Sequence, residues 1–267
     1  MRSTRLLAVV AAGSLAAAMS LASAGAANAA SAVHYVALGD SYSSGVGAGD
    51  YTSSSGSCDR STNAYSQLWD NAYAPSTYTS VACSGATTAD VVSSQVSALS
   101  SSTTLVSITI GGNDVGFSSV METCVLDSTS SCVSAINSAE SEANSQLPGD
   151  LNNALSAIAS HAPNAQVVVM DYPELYDLSQ SSSCIGLSTT DRTDLNQAAD
   201  LIDSQIKAAA ARYGDSFGDV RSYFSGHEIC DSSSWLHSVN ILDIDESYHP
   251  TASGQSGAYY PLFKSIA

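Results

Sequence analysis

A serine on a glycine-flanked turn is the first residue of this sequence that is suited to chemistry. Ser41 lies in the motif Gly39-Asp40-Ser41, and Gly45 follows four residues later. A serine hydroxyl becomes a strong nucleophile when a rigid turn presents it and a base takes its proton. Glycine permits the backbone angles and the close approach of a substrate that such a turn requires. Because the same tripeptide also begins ordinary helices, a catalytic role for Ser41 depends on partners elsewhere in the chain.

Two further positions are able to donate hydrogen bonds to a developing oxyanion. Asn113 lies in Gly111-Gly112-Asn113-Asp114, where its side-chain amide can donate and the glycines let the backbone come near. Gly85, in Cys83-Ser84-Gly85, can offer its backbone N–H to the same oxyanion. Each motif taken alone is equally typical of a plain turn. A catalytic role for Asn113 and Gly85 therefore depends on the presence of Ser41.

A histidine near the end of the chain is the candidate base. His249 precedes Pro250, which biases it toward an extended or turn conformation, and the ordinary pKa of histidine suits general-base chemistry. The other four histidines fall at element edges or in a loop-like region near Cys230, and we interpret them as structural or surface residues. They are His34, His161, His227 and His237.

The group that orients this base is left open by the sequence. A catalytic histidine usually needs an acceptor for its other ring nitrogen. Glu246 stands three residues before His249 and Asp245 four before, with Asp243 further back. A backbone carbonyl of Glu246 or Ser247 is the alternative.

The elements that must position these residues are predicted from hydrophobic periodicity. Short apolar runs rich in β-branched residues predict strands over residues 33–38, 78–82, 104–110 and 166–170, and more weakly over 220–224. Helical spacing of apolar residues predicts helices over 191–213, ended by Gly214, over 134–161, interrupted at Pro148-Gly149, and over 253–266. Strands that alternate with helices indicate an α/β fold with a mainly parallel sheet covered on both faces. Ligands of such sheets bind beyond the carboxyl ends of the strands, where Ser41, Gly85 and Asn113 are expected.

The first 29 residues have the pattern of a secretory signal peptide. Arg2 and Arg5 precede an apolar stretch over residues 6–22, and Ala27-Asn28-Ala29 forms an A-x-A cleavage site. A membrane anchor is the alternative, but the apolar stretch is short and no stop-transfer charges follow it. We therefore expect a secreted, extracellular protein whose residues 30–267 form a single domain.

The charge of the chain limits its partners. The formal net charge is −17, with 8 Lys+Arg and 25 Asp+Glu; loss of Arg2 and Arg5 leaves 6 basic residues and a charge of −19. So acidic a surface argues against nucleic acid and anionic membranes as partners. We expect a monomer that acts on a small-molecule or lipid ester and does not insert stably into a membrane.

Six cysteines follow the predicted leader, and an even number in an exported chain implies three disulfides. Fifteen pairings are possible, and spacing does not choose among them. A zinc site is disfavoured because the sequence has no Cys-x-x-Cys. The cysteines are Cys58, Cys83, Cys124, Cys132, Cys184 and Cys230.

Taken together, the four chemical signals resemble the SGNH, or GDSL-type, hydrolase family. Its defining serine, glycine, asparagine and histidine match Ser41, Gly85, Asn113 and His249 in that order, spread over nearly the whole mature chain. The resemblance implies a three-layer α/β/α sandwich of flavodoxin-like type, with no metal or other cofactor. It also implies an oxyanion hole built from the Ser41 and Gly85 backbone amides and the Asn113 side chain.

Within that family the sequence is most similar to secreted actinobacterial lipases, esterases and phospholipases. They share the six-cysteine layout and a stretch like residues 225–230 followed by Trp235. This similarity implies that the cysteines pair in sequential order, 58 with 83, 124 with 132 and 184 with 230.

The sequence departs from the family pattern in two places. Tyr42 follows the nucleophile where the eponymous motif has leucine, and Glu246 stands where the family usually has aspartate. Some relatives use a backbone carbonyl instead of a carboxylate, which gives a Ser-His dyad, and we favour that arrangement here.

These features predict a serine esterase or lipase that cleaves lipid acyl esters through an acyl-enzyme. An esterase acting on carbohydrate or aryl esters is the alternative within the same fold. A non-catalytic binding module is disfavoured, since all four positions would have to be present by chance. A metallohydrolase that uses Asp40, Asp114, His227 and His249 is disfavoured further.

Overall fold

The structure is a computed structural model that describes residues 32–180, 184, 186–240 and 243–267. The predicted signal peptide lies outside the described residues. Residues Ala32–Ala267 form one compact unit, within which a central sheet is covered by helices.

The sheet has five parallel strands in the order β2-β1-β3-β4-β5. Their register is fixed by pairs such as Tyr35 with Tyr78, and Val106 with both Val36 and Val167. This is the flavodoxin-like strand order, whose switch point lies between β1 and β3. The strands are β1 (His34–Ala37), β2 (Thr77–Ser80), β3 (Leu105–Ile108), β4 (Gln166–Met170) and β5 (Ser216–Gly218).

The helices form two groups that each pack together, one on each face of the sheet, so the predicted three-layer α/β/α sandwich is confirmed. The first group is α3 (Thr88–Ser93), α4 (Phe117–Leu126), α5 (Thr129–Ser145), α6 (Leu147–His161) and α7 (Thr189–Tyr213). The second is α2 (Tyr65–Tyr73), α8 (Arg221–Phe224), α9 (Ala252–Gly254) and α10 (Tyr260–Ile266). The short α1 (Ser41–Ser44) stands at the end of β1.

The weakly predicted strand over residues 220–224 is wrong. The fifth strand is β5, and residues Arg221–Phe224 are helical. Beyond the end of β5 at Gly218, the Val220 N–H donates to the buried Asp171 carboxylate at 2.7 Å and the Arg221 N–H donates to Asp219 at 3.2 Å, so these backbone groups bond to side chains rather than to a strand. Val220 and Phe224 are buried, as a strand would require, but they lie at the two ends of the helix α8.

The helix predicted over residues 134–161 is two helices, and its Pro148 begins the second one rather than breaking a single helix. Pro148 stands in the first turn of α6, where its missing N–H costs nothing, so one predicted helix becomes α5 and α6. Near the chain end, a π-helical turn over Gln255–Tyr259 links α9 to α10, which has Pro261 in its first turn. Gly214 ends α7 in the left-handed region, with its N–H on the carbonyls of Ala210 and Ala211.

The disulfides follow the sequential order that the family resemblance implies. Cys58 is bonded to Cys83, Cys124 to Cys132, and Cys184 to Cys230. None of the helices in the described part of the chain combines the length and apolar character needed to cross a membrane.

Candidate active site

Ser41 and His249 lie in direct contact although 208 residues separate them. Ser41 is the first residue of α1, where the chain turns sharply at the carboxyl end of β1. Its Oγ lies 2.7 Å from Nε2 of His249. The turn is fixed locally, because the Asp40 side chain accepts from the N–H of Tyr42 and Gly45 closes the helix in the left-handed region.

The other ring nitrogen of His249 lies 3.0 Å from the Ser247 carbonyl. A carbonyl only accepts, so Nδ1 carries the proton and Nε2 is free to accept from the Ser41 hydroxyl. The imidazole is partly buried, and loss of its water shell lowers the pKa of His249 to about 4. The ring is therefore neutral at ordinary pH, which is the state that a general base requires.

Glu246 is bonded to another residue. Its Oε1 accepts from the Tyr51 hydroxyl at 2.7 Å, whereas the hydrogen bond of His249 Nδ1 is to the Ser247 carbonyl. The sequence left open whether a carboxylate or a carbonyl orients His249. The geometry favours the Ser247 carbonyl.

The two predicted oxyanion donors stand on loops that follow β2 and β3, the two strands that flank β1 in the sheet. Asn113 donates from Nδ2 to the Ala86 carbonyl at 3.0 Å, which ties its amide to the Gly85 loop and leaves one N–H of that amide to point elsewhere. Gly85 has φ +76°, which favours glycine, and the Ser84 N–H donates to the Cys58 carbonyl at 3.1 Å beside the Cys58–Cys83 disulfide.

A buried hydrogen-bond network joins the nucleophile turn to the Asn113 loop. The Asp40 carboxylate accepts from Thr109 Oγ1 at 2.7 Å and from the Tyr172 hydroxyl, and the same hydroxyl accepts from the N–H of Gly112 at 3.1 Å. Burial raises the pKa of Asp40 to about 6, against the lowering effect of these donors. Tyr172 thereby fixes the distance between the two loops.

An apolar groove begins at Ser41 and Asn113. Its walls come from α4, α5 and α7 and from the segment after β4. The small side chains Ala139, Ala198 and Ala199 leave the space open. The larger apolar walls are Val115, Phe117, Val120, Ile136, Pro173, Leu175, Leu195 and Ile202.

The sequence matches the GDSL-like lipase/acylhydrolase family over residues 37–256. The chain belongs to that family. It is 57% identical over 246 residues to Lipase 1 of Streptomyces coelicolor, which covers 92% of this chain and 91% of the relative.

Solved structures give the same result. Phospholipase A1 from Streptomyces albidoflavus NA297 is 52% identical, with a TM-score of 0.86, over 88% of this chain and 100% of that one. An extracellular lipase from Streptomyces rimosus is 49% identical with the same TM-score and the same coverage. As a GDSL-like acylhydrolase the protein is a carboxylic ester hydrolase, and the resemblance stated from the sequence is confirmed.

Two residues of the disfavoured metallohydrolase alternative, Asp114 and His227, have other partners in the structure. Asp114 accepts from the N–H and hydroxyl of Thr88, and His227 stacks on Trp235 with ring centroids 3.6 Å apart. Among the described residues, no group of three or more His, Cys, Asp or Glu is arranged to hold a metal ion.

Sequence reasoning missed Tyr172 and Tyr51. Tyr172 follows directly on a predicted strand, in Asp171-Tyr172-Pro173, so the rule that ligands bind beyond strand ends was a usable signal. Tyr51 lies in a loop without periodicity, and nothing in its local sequence indicates a contact with Glu246.

Proposed function

We propose that this GDSL-like acylhydrolase is a secreted lipase-type enzyme that cleaves acyl esters of lipids with Ser41 as nucleophile and His249 as base. The observation that carries the proposal is the Ser41–His249 hydrogen bond at the mouth of an apolar groove. The pair supplies the chemistry, and the groove supplies a place for an acyl chain.

The reaction begins when Ser41 Oγ attacks the ester carbonyl carbon while His249 Nε2 takes the hydroxyl proton. The imidazolium that forms is stabilised by the Ser247 carbonyl, which accepts from Nδ1–H. His249 then gives the proton to the departing alkoxide, and the alcohol leaves. Water attacks the acyl-enzyme in the same way, with His249 again taking and returning a proton, and the carboxylic acid is released.

The negative charge on the tetrahedral intermediate is held by three donors in this proposal. They are the backbone N–H groups of Ser41 and Gly85 and the free N–H of the Asn113 amide. Loss of one such donor lowers turnover by roughly 10²–10³-fold. The bond from Asn113 to Ala86 supports this role, since it holds the amide in place before a substrate arrives.

The apolar groove favours lipid acyl esters over carbohydrate esters. Its walls are almost entirely aliphatic or aromatic, and a fatty acyl chain gains about 0.8 kcal/mol for each CH₂ it buries. A sugar would leave its hydroxyls without partners there, at a cost for each. The names of the Streptomyces relatives, lipase and phospholipase A1, agree with this preference.

Secretion belongs to the same proposal. The predicted leader over residues 1–29, three disulfides and the extracellular lipase from Streptomyces rimosus support it. Mass spectrometry of the protein recovered from the culture medium should give an N-terminus at residue 30. An intact Met1 would contradict the leader.

The test of the chemistry compares Ser41→Ala with Ser160→Ala, an exposed serine at the end of α6. We expect Ser41→Ala to lose hydrolysis of p-nitrophenyl esters and labelling by a fluorophosphonate probe, and Ser160→Ala to keep both. Retention of either property by Ser41→Ala would overturn the assignment of the nucleophile. Rates on a triglyceride emulsion and on phosphatidylcholine vesicles then separate lipase from phospholipase activity.

A further inference from the structure

A tyrosine bridges the loop after the nucleophile helix and the loop that carries His249. The Tyr51 hydroxyl accepts from the N–H of Gly47 at 2.9 Å and donates to Glu246 Oε1 at 2.7 Å. Gly47 lies two residues beyond the end of the Ser41 turn, and Glu246 lies three before His249. One side chain therefore joins the two segments that must hold nucleophile and base together.

Gly47 itself is pressed against the base. Its φ is +85°, and a Cβ built on it would lie 3.0 Å from the Cβ of His249 and 2.8 Å from the Pro250 carbonyl oxygen. The backbone of Gly47 is thus in van der Waals reach of His249. The position of this segment therefore limits where His249 can lie.

His237 binds the other polar backbone atom of Gly47, its carbonyl oxygen. Its Nε2 donates to the Gly47 carbonyl at 2.7 Å, while its backbone N–H donates to the His249 carbonyl at 3.0 Å. Tyr248 returns the pairing by donating its N–H to the His237 carbonyl at 3.0 Å. Tyr51 therefore holds the N–H of Gly47, and His237 holds its carbonyl. Both residues also bond to the loop that carries His249, called the base loop below.

We propose that Tyr51 and Glu246 act as a pair of positioning residues, which hold His249 at hydrogen-bond distance from Ser41 by clamping Gly47 to the base loop. Glu246 thereby serves the reaction through Tyr51 and the backbone, and its carboxylate does not orient the imidazole. The inference rests on the proposed roles of Ser41 and His249.

The Tyr51 hydroxyl keeps its proton at neutral pH. Loss of water and the hydrogen bond to Glu246 raise the pKa of Tyr51 well above its ordinary value. The phenol stays protonated, so it can donate to Glu246 while accepting from Gly47 across the range in which an esterase is assayed. Tyr51 is 37% exposed, so we expect the chain to stay folded when its hydroxyl is removed.

Four variants test whether Glu246 acts on His249 by aligning it through Tyr51 or by the charge of its carboxylate. Tyr51→Phe removes the hydroxyl and Glu246→Ala removes the acceptor, whereas Glu246→Gln keeps an oxygen that can accept from Tyr51. The double variant Tyr51→Phe/Glu246→Ala tests whether the two residues act as one unit. Tyr213→Phe is the matched control, because Tyr213 is equally exposed and donates its hydroxyl to the Asn152 carbonyl, far from the site in sequence.

Turnover of a p-nitrophenyl ester, KM, the pH profile and thermal unfolding are measured for each variant. We expect Tyr51→Phe and Glu246→Ala each to lower kcat by about tenfold with KM changed less than about twofold, since alignment acts on the transition state. The double variant should be no slower than either single one. Glu246→Gln should keep most of the turnover and move the acid limb of the pH profile only slightly to lower pH, since the charge of Glu246 is the smallest of the effects on the pKa of His249. Tyr213→Phe should match the unaltered enzyme.

Two outcomes overturn the inference. Full kcat in Tyr51→Phe would show that the clamp does not position the base. A loss in Glu246→Gln as large as in Glu246→Ala, with a large displacement of the acid limb, would show that the carboxylate acts on His249 by its charge. Both are distinct from a failure of the proposed function, which would appear as hydrolysis that survives Ser41→Ala.

Discussion

His249 takes its orientation from a carbonyl only two residues before it in the chain: its Nδ1 lies 3.0 Å from the oxygen of Ser247. A carbonyl dipole stabilises an imidazolium less than a carboxylate does, because it carries no full charge. Burial has the largest effect on the ring and lowers its pKa to about 4, although the hydrogen bond to the Ser247 carbonyl raises it.

The first prediction concerns the pH dependence of hydrolysis. Only neutral His249 can take the Ser41 proton, and a lowered pKa means that the neutral form persists down to about pH 4. We expect kcat/KM on a neutral p-nitrophenyl ester to keep its base-dependent activity well below pH 6.5 and to lose it as the pH falls through about 4. Circular dichroism at each pH checks that the chain stays folded, and an acid limb centred near the ordinary histidine value would contradict the burial argument.

The second prediction concerns Tyr172. Its hydroxyl donates to Asp40 and accepts from the N–H of Gly112, so Tyr172→Phe leaves a buried carboxylate oxygen and a buried N–H without partners. A buried polar group left unpaired costs about 1–3 kcal/mol. We expect urea unfolding to show a loss of that order and kcat to fall about tenfold, because the nucleophile turn and the Asn113 loop lose their link.

The control for that experiment is Tyr73→Phe, since Tyr73 is 48% exposed and its ring stacks on Trp69 without use of the hydroxyl among the described contacts. Unchanged turnover in Tyr172→Phe, with stability lost, would limit the network to a structural role.

The third prediction concerns acyl-chain preference. Ala198 lines the groove on α7, whereas Ala208 lies on the exposed side of the same helix. We expect Ala198→Phe to fill the groove and to lower kcat/KM for a long-chain p-nitrophenyl ester by at least about tenfold relative to a short-chain one, the equivalent of about 1.4 kcal/mol. Ala208→Phe should leave the ratio unchanged. Equal effects on both chain lengths would place the acyl chain outside this groove.

Local signals were sufficient for four of the five strands of the described sheet. The runs over residues 33–38, 104–110 and 166–170 contain β1, β3 and β4, because buried parallel strands are continuous apolar segments whose ends are marked by glycine or proline. The segment 220–224 also contains β-branched and aromatic residues, but it is helical, and the N–H of Val220 donates to the Asp171 carboxylate rather than to a strand.

The supporting contacts of the site were beyond the reach of local patterns. Tyr172 meets Asp40 across 132 residues and Tyr51 meets Glu246 across 195. Neither pair has a periodicity or a spacing that connects its members. The choice of Ser247 over Glu246 is likewise a matter of loop conformation, since both residues stand within reach of His249 in the sequence.

The last prediction concerns two buried carboxylates behind the site, on β4's carboxyl end and on α7. Asp171 and Asp203 are almost fully buried. Each has one carboxylate oxygen without a hydrogen-bond donor among the described residues, and each lies about 4 Å from Nε of Arg221. Burial raises the pKa of Asp171 to about 8 and that of Asp203 well above its ordinary range, the latter also through the charge of Asp171.

A raised carboxyl pKa means that the folded state holds protons which the unfolded chain releases near pH 4. Their contribution to stability is therefore complete below pH 4 and is lost as the pH rises toward 8. Asp203→Asn keeps an oxygen for the N–H of Tyr172, to which Asp203 is now bonded at 3.1 Å, and removes one of the two titrating groups.

We expect the free energy of unfolding of Asp203→Asn, relative to the unaltered protein, to increase by at least about 1.4 kcal/mol between pH 5 and pH 8, the equivalent of one pKa unit. Urea unfolding at the two pH values measures it. Asp194→Asn removes a charge from a more exposed position of the same helix and should shift both values alike. Parallel stability curves for Asp203→Asn and the unaltered protein would mean that Asp203 is ionised in the fold, held by Arg221 in spite of its burial.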